Sequence, residues 1–297
     1  MMLGGVEAGG TKFVCVTGNS VEDIVSEARF PTQAPEETLA VAIGFFSDFI
    51  ASTDRLDAVG IASFGPVELR RSSPDYGFIT ATPKPGWSHT DIAGPVRRAL
   101  GVPIGFDTDV NGAALGEGRA GAARGLSTFV YMTVGTGIGA GAVINGEVAH
   151  GLVHAEMGHI GVPRLPGDDY PGGCGFHGDC LEGMASGPAL AARWGRPAEE
   201  LSGGNLSEAV ELEAFYLAAG LRNVVYTIAP ERIVLGGGVS EMPGLLTRIR
   251  ARLQETLAGY PGLAEHEASD FVVGAALGGR AGATGALVLA EMAAREA

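Results

Sequence analysis

The run Cys174-Gly175-Phe176-His177-Gly178-Asp179-Cys180, with Glu156-Met157-Gly158-His159 upstream, gathers sulfur and imidazole donors at close spacing. Two thiolates and two imidazoles suit tetrahedral zinc, and a site filled by His159, Cys174, His177 and Cys180 would be structural, with no position left open for substrate. The alternative is an interior histidine beside free thiols. Cys15, the third cysteine, falls in an apolar run, so no disulfide framework is expected.

Asp107-Thr108-Asp109-Val110-Asn111 follows the apolar run Val102 to Phe106. That places carboxylates at the carboxyl end of a strand, where α/β clefts form and where a base can take a hydroxyl proton. A helix N-cap by Thr108 or Asp109 is the competing reading. Three glycine-rich runs complete the set. Glu7-Ala8-Gly9-Gly10-Thr11-Lys12 and Gly135-Thr136-Gly137-Ile138-Gly139 each combine backbone N–H groups unobstructed by Cβ with a threonine hydroxyl, a pairing suited to the phosphates of one nucleotide. Gly236-Gly237-Gly238-Val239-Ser240 follows a predicted strand and precedes a helix near Pro243, and is assigned to the nucleotide. Each run alone also reads as an ordinary tight turn. No P-loop and no protein-kinase glycine loop occurs.

The elements that must hold these residues show a repeat. Leu3 to Val16 forms two short β runs around the first glycine turn, and Thr128 to Val143 repeats the plan around the second. Leu39, Ile43, Phe46 and Ile50 recur at helical spacing after Pro35-Glu36-Glu37, a proline and acidic start suited to a helix N-terminus. Ala58 to Ala62, Val102 to Phe106 and Arg232 to Leu235 read as buried strands, and Asn111 to Gly121 as a helix. Ile144-Asn145-Gly146-Glu147 carries the asparagine-glycine signal of a two-residue hairpin. The order predicts an α/β protein of two similar halves around a cleft.

Length and composition bound the rest. A chain of 297 residues, 46% hydrophobic and 18% charged, can bury two cores. Its formal charge of −14, with 20 scattered basic residues, would repel a nucleic acid backbone, so no nucleic acid partner is expected. No stretch is apolar enough for a membrane span, and Met1 to Val6 lack a signal-peptide pattern, so the expectation is a cytoplasmic protein with no membrane association.

These residues resemble the ROK family of sugar kinases and repressors, and within it the bacterial fructokinases. The likeness runs through Thr133 to Gly141, Gly146, Gly151 and Glu156 to His159, with further matches at Glu7 to Lys12, Asp107 to Asn111 and Gly183 to Pro188. The resemblance implies an actin-like ATPase (ribonuclease H-like) fold. It places a small lobe at 1–118, completed by about 281–297, and a larger, zinc-holding lobe at 119–280. It further implies ATP, Mg2+ and Zn2+ as cofactors, a hexose substrate with fructose favoured, and a homodimer. By carry-over, Asp109 resembles the catalytic base, Glu156, His159 and Glu182 the sugar-hydroxyl ligands, and Gly65-Pro66 the sugar pocket. Gly9, Gly10, Thr11, Lys12, Thr136, Gly137, Pro188 and Gly236 to Ser240 would face ATP, and Glu7 the magnesium.

Three departures mark the branch: Glu7 where many relatives carry aspartate, Thr108 where glucose-phosphorylating relatives place asparagine, and Cys-x-x-His-x-x-Cys in the metal loop. The second and third favour fructose over glucose, mannose or an amino sugar. The resemblance also implies that losing zinc would raise the fructose requirement more than the ATP requirement. A sugar-responsive repressor would need a DNA-binding module ahead of the first hairpin and is not expected.

Overall fold

The structure is a computed structural model that describes residues 1–53 and 55–297. Along the chain run β1 (Leu3–Ala8), β2 (Lys12–Gly18), β3 (Ile24–Pro31), α1 (Pro35–Thr53), β4 (Ala58–Ser63), β5 (Phe78–Ile79), β6 (Thr90–Asp91), α2 (Ala93–Leu100), β7 (Ile104–Thr108) and α3 (Asp109–Ala120). They continue through β8 (Phe129–Val134), β9 (Ile138–Ile144), β10 (Glu147–Val148), α4 (Leu181–Ala185), α5 (Gly187–Trp194) and α6 (Gly203–Ile228). The chain then ends with β11 (Arg232–Gly236), α7 (Leu245–Leu257), β12 (Val272–Gly274) and α8 (Ala281–Glu296). No helix among the described residues is long and apolar enough to cross a membrane.

The chain divides into two compact units, one of residues 1–125, 148–155 and 279–297, the other of 126–147 and 156–278. A boundary at 118/119 would cut inside α3, whose backbone hydrogen bonds hold Gly121 to Glu117. The turn after that helix therefore stays with the first unit. Segment 148–155 also belongs to the first unit, which sequence proximity to β9 and β10 hides.

In the first unit the sheet order is β3-β2-β1-β4-β7, with β1, β2 and β3 antiparallel and β1, β4 and β7 parallel. β4 is buried at every residue, as a central parallel strand covered on both faces must be, while β3 alternates between exposed and half-buried positions at the edge. One face packs Phe13, Phe46, Ile61, Ile79 and Trp87 into a core with α1 and α2, and the Trp87 indole N–H donates to the Gln33 carbonyl at 2.9 Å. The other face takes α3 and α8. These two helices approach so closely that a Cβ on Gly285 would lie 1.6 Å from the Gly112 carbonyl oxygen. Only glycine fits there, and the contact seats the helix that begins with Asp109.

The second unit repeats the plan. Its sheet order is β10-β9-β8-β11-β12, with β8 and β9 antiparallel and β8, β11 and β12 parallel. The expected asparagine-glycine turn joins β9 to β10, with φ of 54° at Asn145 and 85° at Gly146, the left-handed pair that such hairpins require. The long helix α6 buries Ala214, Tyr216, Leu217 and Leu221.

Candidate active site

β7 runs two residues further than its apolar pattern, because Asp107 and Thr108 pair with Ala62 and Ser63 of β4. Thr108 then caps α3, its Oγ1 accepting from the Asn111 N–H at 3.1 Å. The capping role therefore falls to Thr108, and Asp109 stands half-buried in the first helical turn, its Oδ1 accepting from the Val110 N–H at 2.9 Å. The positive end of the helix favours the ionised carboxylate there.

Asp107 is buried beside it. One oxygen accepts from the Thr108 N–H and the Asn111 side-chain amide, both at 2.7 Å, and the other faces His150 Nε2 at 2.9 Å. This hydrogen bond raises the His150 imidazole above its ordinary value of 6.5, outweighing the opposing effect of burial. After β4, the Gly65–Pro66 peptide is cis, and the next backbone N–H, of Val67, donates to His154 Nε2 at 3.1 Å.

In the first glycine hairpin the Gly9 N–H donates to the Lys12 carbonyl at 3.0 Å and Thr32 donates through its hydroxyl to the Gly9 carbonyl at 2.7 Å. The turn is thus braced from below while Thr11 and Lys12 are exposed at its tip and Gly10 borders open space. Glu7 lies just before it on β1. One carboxylate oxygen accepts from the Ala283 N–H in the first turn of α8, and Oε2 is buried with no hydrogen-bond partner. Burial pushes this carboxyl up despite the nearby Lys12. An orphaned carboxylate oxygen is a fit for a hard cation or one of its waters.

The second hairpin gathers the remaining nucleotide candidates of the other unit. Gly135 donates to the Gly137 carbonyl at 2.9 Å, and its own carbonyl accepts from Gly187 N–H at 2.7 Å, at the start of α5. Pro188 occupies the first turn of that helix, capped by Ser186. Gly237, with φ of 85°, presses on β8: a Cβ there would lie 2.4 Å from the Val134 carbonyl oxygen. Ser240 closes a 3-10 turn by donating to the Gly237 carbonyl at 2.6 Å. Thr136, Gly137, Pro188 and the run Gly236 to Ser240 therefore surround one hairpin.

Glu182, a candidate sugar ligand, also touches this hairpin: its Oε2 accepts from the Ile138 N–H at 2.9 Å. Two residues earlier, Cys180 stands at the N-cap position of α4 and joins the sulfur and nitrogen cluster. The ligand atoms of His159, Cys174, His177 and Cys180 all lie within 4.8 Å of one another. His159 Nδ1 is 3.7 Å from Cys174 Sγ and 3.6 Å from Cys180 Sγ, and His177 Nδ1 is 3.8 Å from Cys174 Sγ. Zinc bonds of usual length at tetrahedral angles would separate sulfur from nitrogen by about 3.6 Å, so these residues fit the ion. With Nδ1 directed to the sulfurs, His159 keeps Nε2 for another partner, and the exposed Glu156 stands three residues before it.

His150 and His154 were not singled out in the sequence. The only hint is their position between Gly146 and Glu156, inside the stretch that carries the strongest likeness, and their partners lie far back along the chain.

The ROK family is matched over residues 3–293. The fructokinase of Zymomonas mobilis is 45% identical over 295 residues, covering 97% of this chain and 96% of that protein. Among solved structures, the ROK hexokinase from Thermus thermophilus gives a TM-score of 0.82 at 29% identity, with 100% of both chains covered. A ROK family glucokinase from Streptomyces griseus, solved with glucose and AMPPNP, gives 0.73 at 27% identity over 98% of this chain and 100% of that one. The repeated sheet order and these likenesses give the chain the actin-like ATPase fold. The chain belongs to the ROK family.

Proposed function

We propose that this chain is a fructokinase, moving the γ-phosphoryl group of ATP to the 6-hydroxyl of D-fructose to give fructose 6-phosphate. The observation that carries the reading is the near-full-length likeness to the Z. mobilis fructokinase, at 45% identity against 27% for the S. griseus glucokinase. The geometry of the β7–α3 turn supports it, since Thr108 serves as the cap and Asp109 is left to act as base.

In this reading Asp109 accepts the proton of the attacking hydroxyl, and Gly65, Pro66, Glu156, His159 and Glu182 orient the sugar. The glycine hairpins, with Thr11, Lys12, Thr136 and Gly137, hold the phosphates, and Pro188 and Gly236 to Ser240 border the nucleotide. Magnesium, when bound, neutralises phosphate charge, and Glu7 would hold its water shell through Oε2. Zinc on His159, Cys174, His177 and Cys180 would fix the loop that carries Glu182. A homodimer is part of the proposal, to be read from sedimentation.

Coupled ATP turnover across purified fructose, mannose, glucose and amino sugars tests it. The largest kcat/KM is expected for fructose. A glucose value equal to or above it would replace the substrate, and absence of turnover with every hexose would leave a sugar-binding protein.

A further inference from the structure

Segment 148–155 makes a narrow excursion in the first unit. His150 and His154 face each other in an antiparallel bridge, and the Gly151 N–H closes the tip on the Val153 carbonyl at 3.2 Å. The tip carries no core anchor, for Leu152 is 79% exposed and Val153 63%. Its two imidazoles do the holding. His154, buried, accepts from the Val67 N–H, directly after Gly65-Pro66. His150 contacts Asp107, two residues before Asp109 and tied through Asn111 to the same helix turn. Both anchor points therefore adjoin residues assigned to the sugar or the base, and the segment runs on into Glu156.

We propose that segment 148–155 is a strap that positions the sugar, and that His150, held on Asp107, is the positioning residue that fixes it. This rests on the sugar-kinase reading above. The physical argument is one of restraint. A loop with an apolar tip in solvent has little to hold it except its polar anchors, and a hydrogen bond to a charged group is the stronger kind. Losing the anchor at His150 leaves the strap held through His154 alone, loosens its Asp107 side and costs the sugar a preorganised wall. The first glycine hairpin is braced by its own contacts, Gly9 to Lys12 and Thr32 to Gly9, so the ATP requirement is expected to stay unchanged.

Across the bridge from His150 stands the second titratable group, His154, held on the Val67 N–H. His150 meets Asp107 and the Asn111 amide, at 3.4 Å from its Nδ2, and Asp107 also interacts with the Tyr76 phenol. Because pairing raises the imidazole, the charge-assisted contact is fully present below about pH 6.5 and weakens as pH rises through the elevated value.

The test is His150→Ala and His150→Gln in the full chain, with KM for fructose and ATP measured separately and fructose binding followed by calorimetry in the presence of AMPPNP. The alanine variant should raise the fructose KM and dissociation constant about tenfold and leave the ATP KM within about twofold. Glutamine, which keeps a donor toward Asp107 without the charge, should recover most of the loss. Its deficit against wild type should be largest below about pH 6.5 and shrink as pH rises through the elevated imidazole value. Parallel rises in both KM values, or unchanged fructose binding in His150→Ala, would overturn the strap while leaving the kinase reading intact. Wild-type protein that binds no hexose would overturn both.

Discussion

Glu182 and Ile138, 44 residues apart in sequence, are joined by a 2.9 Å hydrogen bond from the Ile138 backbone N–H to Glu182 Oε2. The same oxygen lies 2.7 Å from where a Cβ on Gly137 would stand, so the carboxylate presses against the hairpin assigned to ATP. A residue with a sugar role by resemblance therefore also braces the hairpin proposed to hold ATP.

Glu182→Ala should accordingly raise the ATP KM by about tenfold, the loss expected for a hydrogen bond to a charged acceptor. Initial-rate kinetics at saturating fructose read it. An ATP KM equal to wild type would restrict Glu182 to the sugar.

Asp109→Asn should lower kcat by about 10²- to 10⁴-fold, the usual contribution of a general base, with ATP binding and the melting temperature close to wild type. The stability half of this expectation comes from the cap: Thr108, and not Asp109, satisfies the Asn111 N–H. Thr108→Ala should show the converse, losing about 1 kcal/mol of stability. If Asp109→Asn turns over at near the wild-type rate, another group takes the proton.

The candidate residues were legible in sequence where their chemistry is local. A glycine hairpin, a carboxylate after a strand and a Cys-x-x-His-x-x-Cys loop each show themselves within a few residues, and the duplicated sheet follows from two copies of one hairpin plan. What stayed hidden depends on partners far along the chain. The choice of cap between Thr108 and Asp109 turns on where β7 ends, which its pairing with β4 decides. The brace from Glu182 and the anchoring of His150 on Asp107 are contacts across 44 and 43 positions, which no local spacing encodes. Likewise, segment 148–155 follows a hairpin of one unit yet packs with the other, through histidines that resemble any polar loop residue.

Metal removal should now affect both substrates. The resemblance implied a change in the fructose requirement above all, but Cys180 begins the helix turn that carries Glu182, and Glu182 reaches the hairpin at Ile138. Cys180→Ser, or chelation of the purified protein, should raise the KM of ATP as well as that of fructose. Elemental analysis before chelation should find one zinc per chain. Protein isolated without metal, or an ATP KM unmoved by chelation, would break the link between the loop and the hairpin.

The last prediction concerns the segment that leads into the metal loop. Asp168 and Arg193 form an ion pair at 2.6 Å with both side chains almost fully buried, 7% and 8% exposed. Tyr216 donates its hydroxyl to the other carboxylate oxygen, the Tyr170 N–H adds a contact at 3.1 Å, and the guanidinium stacks over the Tyr170 ring at 4.2 Å. Burial by itself would push the Asp168 carboxyl up, yet the hydrogen bonds from Arg193 and Tyr216 prevail and hold it at about 2, against an ordinary value of 3.8. A depressed carboxyl contributes stability that is complete above its unfolded value and is lost as pH falls through its folded one. Removing one partner of a buried pair leaves the other charge uncompensated and costs about 3 kcal/mol or more. Asp168→Asn should thus be less stable by about that amount at pH 7, and its deficit should shrink between pH 4 and pH 2 as the wild-type carboxyl protonates. Urea unfolding at a series of pH values measures both; a deficit that stays constant down to pH 2 would show that packing, and not the ion pair, anchors this segment.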